Sequence, residues 1–210
     1  MTGRSTDISS LAQSADGRRR RSERTRAKLV EATIALLEEG VVWPSADQLA
    51  ERAGVARRSI FRLYGDMESV YFDLAKRQAG IALPVLTAAP PPGSTEERVQ
   101  ALVKLRLGWF EQVAPVRRAA HARRYASPIL DQTLRASWLL LRRQVEAFFQ
   151  PELEHAPKDT VEILDALLSF ETWDRLRTAQ GLGVRRTRKL VTHSVLDVLA
   201  PQGRVPPHLE

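Results

Sequence analysis

An all-α fold in two helical parts is what this sequence predicts, and three observations predict it. Apolar residues recur at i, i+3, i+4 and i+7 along most of the chain, and no run alternates as a half-buried strand does. Prolines and glycines fall between these periodic runs and cut them into helix-length pieces. Residues 45–64, SADQLAERAGVARRSIFRLY, compress the same pattern into two short helices about one glycine. The 210 residues suit one large domain or two small ones, and with 43% hydrophobic residues they can bury a substantial core.

Residues 1–21 are rich in Ser, Gly, Asp and Arg and nearly free of apolar residues, so they are predicted to be a disordered basic arm. The arm ends in Arg18 to Arg21. Placed directly before a helix, it can lie along nucleic-acid phosphates or serve as a solubilising tail. A first helix from about Ser22 to Glu39 carries Leu29, Ala32, Thr33, Leu36 and Leu37 on one face, and Gly40 ends it. Val41 to Pro44 form a link in which Trp43 is expected to pack.

Ser45 can cap the next helix, with Gln48 three residues on as a capping box requires. Leu49, Ala50 and Ala53 give it an apolar face. Gly54 allows the left-handed backbone of a sharp turn, and Val55 can plug the small core between the two helices. A second helix from about Ala56 turns Ile60 and Leu63 or Tyr64 inward and Arg57, Arg58 and Arg62 outward. Short helix, glycine turn and arginine-bearing helix form the pattern of a helix-turn-helix that reads DNA. Asp66 can cap a further helix, Met67 to about Ala79, with Val70, Leu74 and Tyr71 or Phe72 inward.

Residues 80–95 hold four prolines, which are expected to end that helix and to mark a domain boundary; a loop between helices fits them equally. A helix is predicted from about Glu96 to Ala114, with Val99, Leu102, Leu105, Trp109 and Val113 on one side. Pro115 is expected to interrupt it, and a short helix to reach Tyr125. After Pro128 comes a long helix with Leu134, Trp138, Leu141, Val145 and Phe148, then one from about Asp159 to Gln180. The last helix runs from about Val184 to Leu199, and Pro201, Pro206 and Pro207 leave residues 201–210 as a loose tail.

The window Thr25 to Leu74 resembles the N-terminal domain of TetR/AcrR-type transcriptional regulators. Thr25-Arg26, Leu29, Ala32, Leu36-Leu37, Gly40, Ser45, Leu49-Ala50, Ala53-Gly54-Val55, Ser59, Phe61, Tyr64 and Val70 carry the likeness, with every spacing kept. The resemblance implies an N-terminal three-helix helix-turn-helix DNA-binding domain, here residues 22–79, followed by a C-terminal helical ligand-binding and dimerisation domain, here 80–200. Three positions depart from the family pattern. Ala56 stands where a capping serine is usual, Phe61-Arg62-Leu63-Tyr64 replaces Tyr-x-His-Phe, and Met67 replaces a lysine. Phe61 donates no hydrogen bond and Met67 carries no charge, which leaves Arg57, Arg58 and Arg62 to compensate.

On this reading the DNA-contacting set is Arg24, Arg26, Ser45, Ala56, Arg57, Arg58, Ser59, Phe61, Arg62 and Tyr64. Arg26, Ser45, Ser59 and the arm would touch phosphates, and the outward side of Ala56 to Arg62 would touch bases. For each helix arginine a plain phosphate contact is the equal alternative. The resemblance also implies a small-molecule pocket, for which Trp109, Phe110, His121, Tyr125, Trp138 and Phe149 are candidates; ordinary core is the competing reading. Arg117, Arg118, Arg123 and Arg124 lie close by in sequence and would select an acidic ligand or form a solvated face. Residues 161–176 spread apolar groups over a wider arc than one packing contact covers, so a two-fold dimer is expected through Leu164, Leu168, Phe170, Trp173, Val191, Val195 and Val198; a helix central to its own domain is the competing reading.

Composition narrows the function classes. The net charge of +7 and pI near 10.3 favour a polyanionic partner. Residues 1–79 hold 14 basic and 11 acidic residues, a surplus of +3, but residues 17–28 hold seven basic residues and one acid. There are no cysteines, which excludes disulfides and fits a reducing cytoplasm. The four histidines lack metal-ligand spacing, and no nucleophile elbow, phosphate loop or carboxylate pair stands out. The expectation is therefore a non-enzymatic, cytoplasmic, homodimeric repressor, with no cofactor and no metal. Its partners would be a double-stranded operator, a second copy of itself and a small-molecule effector, and no membrane. A helical adaptor that reads no DNA and a ligand-independent regulator are the alternatives.

Overall fold

A computed structural model describes residues 5–200, with side chains from Asp16 onward. The helices are α1 (Ser5–Glu38), α2 (Ala46–Ala53), α3 (Arg57–Tyr64), α4 (Met67–Leu86), α5 (Thr95–Arg123), α6 (Pro128–Phe148), α7 (Gln150–Leu153), α8 (Thr160–Leu167), α9 (Phe170–Asp174) and α10 (Val184–Leu199). A 3-10 turn, Arg124–Ala126, follows α5, and a π-type turn, Arg175–Ala179, follows α9. Among the described residues there is no strand. The chain divides into two compact units, Met1–Arg77 with Pro115–Gln132, and Gln78–Ala114 with Thr133–Glu210.

In the first unit, one buried cluster joins Leu29, Ala32 and Leu36 of α1, Leu49 and Ala50 of α2, Ile60 and Tyr64 of α3, and Val70 of α4. Val55 and Leu63 pack against it. A second cluster joins Val30, Leu37 and Leu74 to Ala119 at the end of α5. Each fully buried aliphatic side chain contributes about 1.5–3 kcal/mol, which holds the two short helices α2 and α3 against α1 and α4. Trp43 in the link stacks on Tyr71 with ring centroids 4.7 Å apart, and the Arg123 guanidinium lies 3.6 Å above its ring centre.

The second unit is built on Val99, Leu102, Val103 and Phe110 of α5, Leu141, Val145 and Phe148 of α6, Leu164 of α8, Phe170 and Trp173 of α9, and Val191 and Val195 of α10. Phe110 meets the edge of Phe170 at 5.5 Å. Arg106 is fully buried among them. Its Nε donates to Gln144 Oε1 at 2.9 Å and its other nitrogens to the carbonyls of Leu168 and Leu141. Burial pushes this guanidinium down to about 10, with Asp165 acting in the opposite sense.

Several expected boundaries differ. The segment expected to be a disordered arm is helical from Ser5 onward. Extending an existing helix needs no new nucleus, and Arg20–Asp16 and Arg19–Glu23 pairs, each at 2.9 Å and four residues apart, support the added turns. The α4 helix continues past Ala79 through Pro84 to Leu86, and α5 continues through Pro115. A proline costs one backbone bond, but Ala82, Leu86, Val113, Ala114 and Ala119 are buried on either side and hold the helices across it. The expected helix from Asp159 to Gln180 is instead broken at Ser169, whose extended backbone and hydroxyl, accepting from Thr172 N at 3.1 Å, start α9 anew. The boundary is not a single cut, because residues 115–132 return to the first unit. α10 has the limits expected from sequence. The tail at 201–210 lies outside the described residues.

Candidate nucleic-acid interface

The first helix of the helix-turn-helix pair, α2, starts on a complete capping box. Ser45 Oγ accepts from Gln48 N at 3.2 Å, while Ser45 N donates to Gln48 Oε1 at 2.9 Å. At the far end Gly54 adopts φ 65°, ψ 38°, and Val55 N donates to Ala50 O at 3.0 Å. That left-handed turn swings the chain back so that Val55 seals the gap between α2 and α3. Ala56 begins α3 in extended conformation and offers no side-chain cap.

One face of α3 is fixed by Ile60 and Tyr64 in the core. The opposite face presents Arg57, Arg58, Phe61 and Arg62, all exposed. Their spacing of i, i+1, i+4 and i+5 makes them one contiguous patch. Arg57 Nη1 lies 3.4 Å from Asp47 Oδ2, and its guanidinium sits 5.7 Å from the Phe61 ring centre. Both charges of that pair are well exposed, so it is weak and easily traded for a stronger acceptor. Among the described residues Arg58 and Arg62 have no hydrogen-bond or ion-pair partner. Ser59 is half-buried beside them.

Two residues expected at this surface are engaged elsewhere. Tyr64 is buried, and its hydroxyl donates to Asp73 Oδ2 at 2.8 Å. Burial first, then that bond, holds its phenol well above the ordinary range. Arg26 Nη2 donates to Leu63 O at 2.9 Å, Nη1 lies 3.4 Å from Asp73 Oδ2, and the guanidinium stacks 4.8 Å over the Tyr64 ring. Both therefore brace α3 from behind rather than reach outward. Ser45 Oγ accepts in the capping box, which leaves its O–H as a donor. Arg24 is exposed on α1, in line with Arg21 and Lys28 at i+3 and i+7 spacing. Lys28 was not among the expected contacts; only the helical continuation of α1 puts the three cations on one face.

The other predicted sites fare differently. Trp109, Phe110 and Phe149 are buried in the second unit, where Trp138 is half-buried. His121 and Tyr125 belong to the first unit, and Tyr125 is 87% exposed, so the six candidate pocket residues are divided between the units. Of the residues expected to meet a second copy, Leu164, Leu168, Phe170, Trp173, Val191 and Val195 are buried in this chain's own core, and Val198 packs against it. The apolar side chains that α8 and α10 do expose are Ile163, Val184 and Leu190. A helix with a wide apolar arc does not itself say which half faces its own chain.

Neither a protein-family model nor a curated protein sequence matches the chain. Solved structures do. A transcriptional regulator from Rhodococcus sp. RHA1 superposes with a TM-score of 0.66 at 19% identity, over 88% of this chain and 99% of its own. A protein described as a TetR-family transcriptional regulator from Mesorhizobium loti gives 0.65 at 18% identity, over 86% and 97%. A regulatory protein of the TetR family from Rhodococcus RHA1 gives 0.59 at 16% identity, over 88% and 98%. The likeness thus extends along nearly the whole length of these proteins and over most of this chain. The chain has the fold of the TetR-family transcriptional regulators.

Proposed function

We propose that this protein is a sequence-specific DNA-binding transcriptional regulator, a repressor that binds a palindromic operator as a homodimer and is released by a small molecule. The observation that carries the reading is the outer face of α3. Arg58 and Arg62 stand there exposed and without a partner among the described residues, beside a loosely held Arg57, on a helix whose other face is locked into the core. Exposed arginines on a rigid eight-residue helix suit the major groove, where a guanidinium can grip guanine O6 and N7. The cationic line of Arg21, Arg24 and Lys28 suits phosphates alongside.

One such helix touches few base pairs. Two copies related by a two-fold axis would read half-sites about 34–36 Å apart and add their binding free energies. Ile163 on α8 and Val184 and Leu190 on α10, exposed apolar groups, would meet a second copy. An effector would act by binding the DNA-free state more tightly, and DNA would then weaken effector binding by the same factor.

Selection of bound fragments from a random duplex pool, with the purified full chain, tests the reading. A palindromic product with half-sites one turn apart is expected. Recovery of unselected sequence, or of a site without two-fold symmetry, rejects it.

A further inference from the structure

We infer that Asp73 and Tyr64 form a polar latch that sets the angle at which α3 is presented, which makes them positioning residues for DNA reading. The inference rests on the function proposed above.

α3 is held unequally at its two ends. Its N-terminal end has no side-chain cap, since Ala56 supplies none, and beyond packing has only the exposed, weak Arg57–Asp47 pair. Its C-terminal turn is tied by three side chains from three helices. Tyr64 donates from α3 to Asp73 Oδ2 on α4 at 2.8 Å. Arg26 on α1 caps the Leu63 carbonyl at 2.9 Å, approaches the same Asp73 oxygen at 3.4 Å and covers the Tyr64 ring. A cation at that carbonyl also meets the negative end of the helix dipole. Asp73 is the shared acceptor, and its carboxylate ties the α3 tyrosine to the α1 arginine beside the direct contact of guanidinium and ring.

The lever arm makes this matter. At 1.5 Å per residue, α3 is about 12 Å long, so a tilt of about 10° at the latched end moves Arg57 and Arg58 by about 2 Å. A hydrogen bond to a base edge tolerates only a few tenths of an ångström. Phosphate contacts from flexible arginines tolerate more. Loosening the latch should therefore erode discrimination between sequences before it erodes binding to DNA in general.

Tyr64→Phe keeps the buried ring and removes the hydroxyl; Asp73→Asn keeps the shape and removes the charge. With the selected operator and an unrelated duplex as probes, each variant is expected to lose about tenfold in specific affinity while affinity for the unrelated duplex stays within about twofold. Amide exchange is expected to quicken at Leu63 to Gly65 and stay unchanged in α2. An unchanged ratio of specific to unrelated binding overturns the inference, even if exchange quickens, because the bonds would then be structural only. If the unaltered protein prefers no duplex, the proposed function fails by itself. The positioning role then falls with it, and exchange tells how: quickened exchange at Leu63 to Gly65 would show the bonds to be structural only, and unchanged protection would show that there is no latch.

Discussion

Replacing Arg58 and Arg62 together by alanine separates DNA reading from every structural role. Both side chains are exposed and lack partners among the described residues, so their removal should shift stability by no more than about 0.5 kcal/mol. Their effect on DNA is large by comparison. If each touches a phosphate, a dimer loses four contacts, and the slope of log affinity against log salt should flatten by about 3.6. If each reads a base, discrimination should fall by about 1–3 kcal/mol per contact, while the slope changes less. Fluorescence anisotropy with a labelled operator duplex, repeated from about 50 to 200 mM salt, measures both quantities. A variant with unchanged affinity and unchanged slope would refute the assignment of α3 as the reading helix.

Gly54→Val should destabilise by about 1–3 kcal/mol, because φ of +65° is strained for a β-branched residue; a thermal melt by circular dichroism measures it. Leu168→Ala should cost about 2–5 kcal/mol in urea unfolding, since Leu168 is fully buried in the second unit and its loss leaves a cavity. Tyr71 gives a pH prediction. Burial pushes its phenol up to about 12, with Glu68 adding to the shift and Arg123 opposing it. The unfolded chain then binds fewer protons than the folded one above pH 10, so stability should be complete below 10 and decline as pH rises toward 12. Tyr71→Phe should reduce that decline in urea midpoints taken between pH 9 and 12; an identical decline in the variant would show that other groups cause it.

The helix-turn-helix was legible because its signals are local. Ser45 and Gln48 meet across one turn, Gly54 needs only its own backbone, and α3 alternates arginine and apolar residues at helical period. The α10 limits were legible for the same reason, with Gly183 before and Pro201 after. Proline misled at Pro84 and Pro115, where packing on both sides outweighs one lost backbone bond. Arg26 and Tyr64 read as surface contacts because nothing near them in sequence reveals Asp73, 47 residues from one and nine from the other.

Taken alone, the sequence determined an all-helical fold, the helix-turn-helix pair and the arginines on its outer face, since capping, glycine turns and helical periodicity act within a few residues. Tertiary structure alone decided what each buried group meets. It assigned Leu164, Leu168, Val191 and Val195 to the chain's own core, turned Arg26 and Tyr64 inward, and returned residues 115–132 to the first unit. Burial depends on neighbours far apart in the chain, and a pattern of apolar residues says that a face is covered without saying by what.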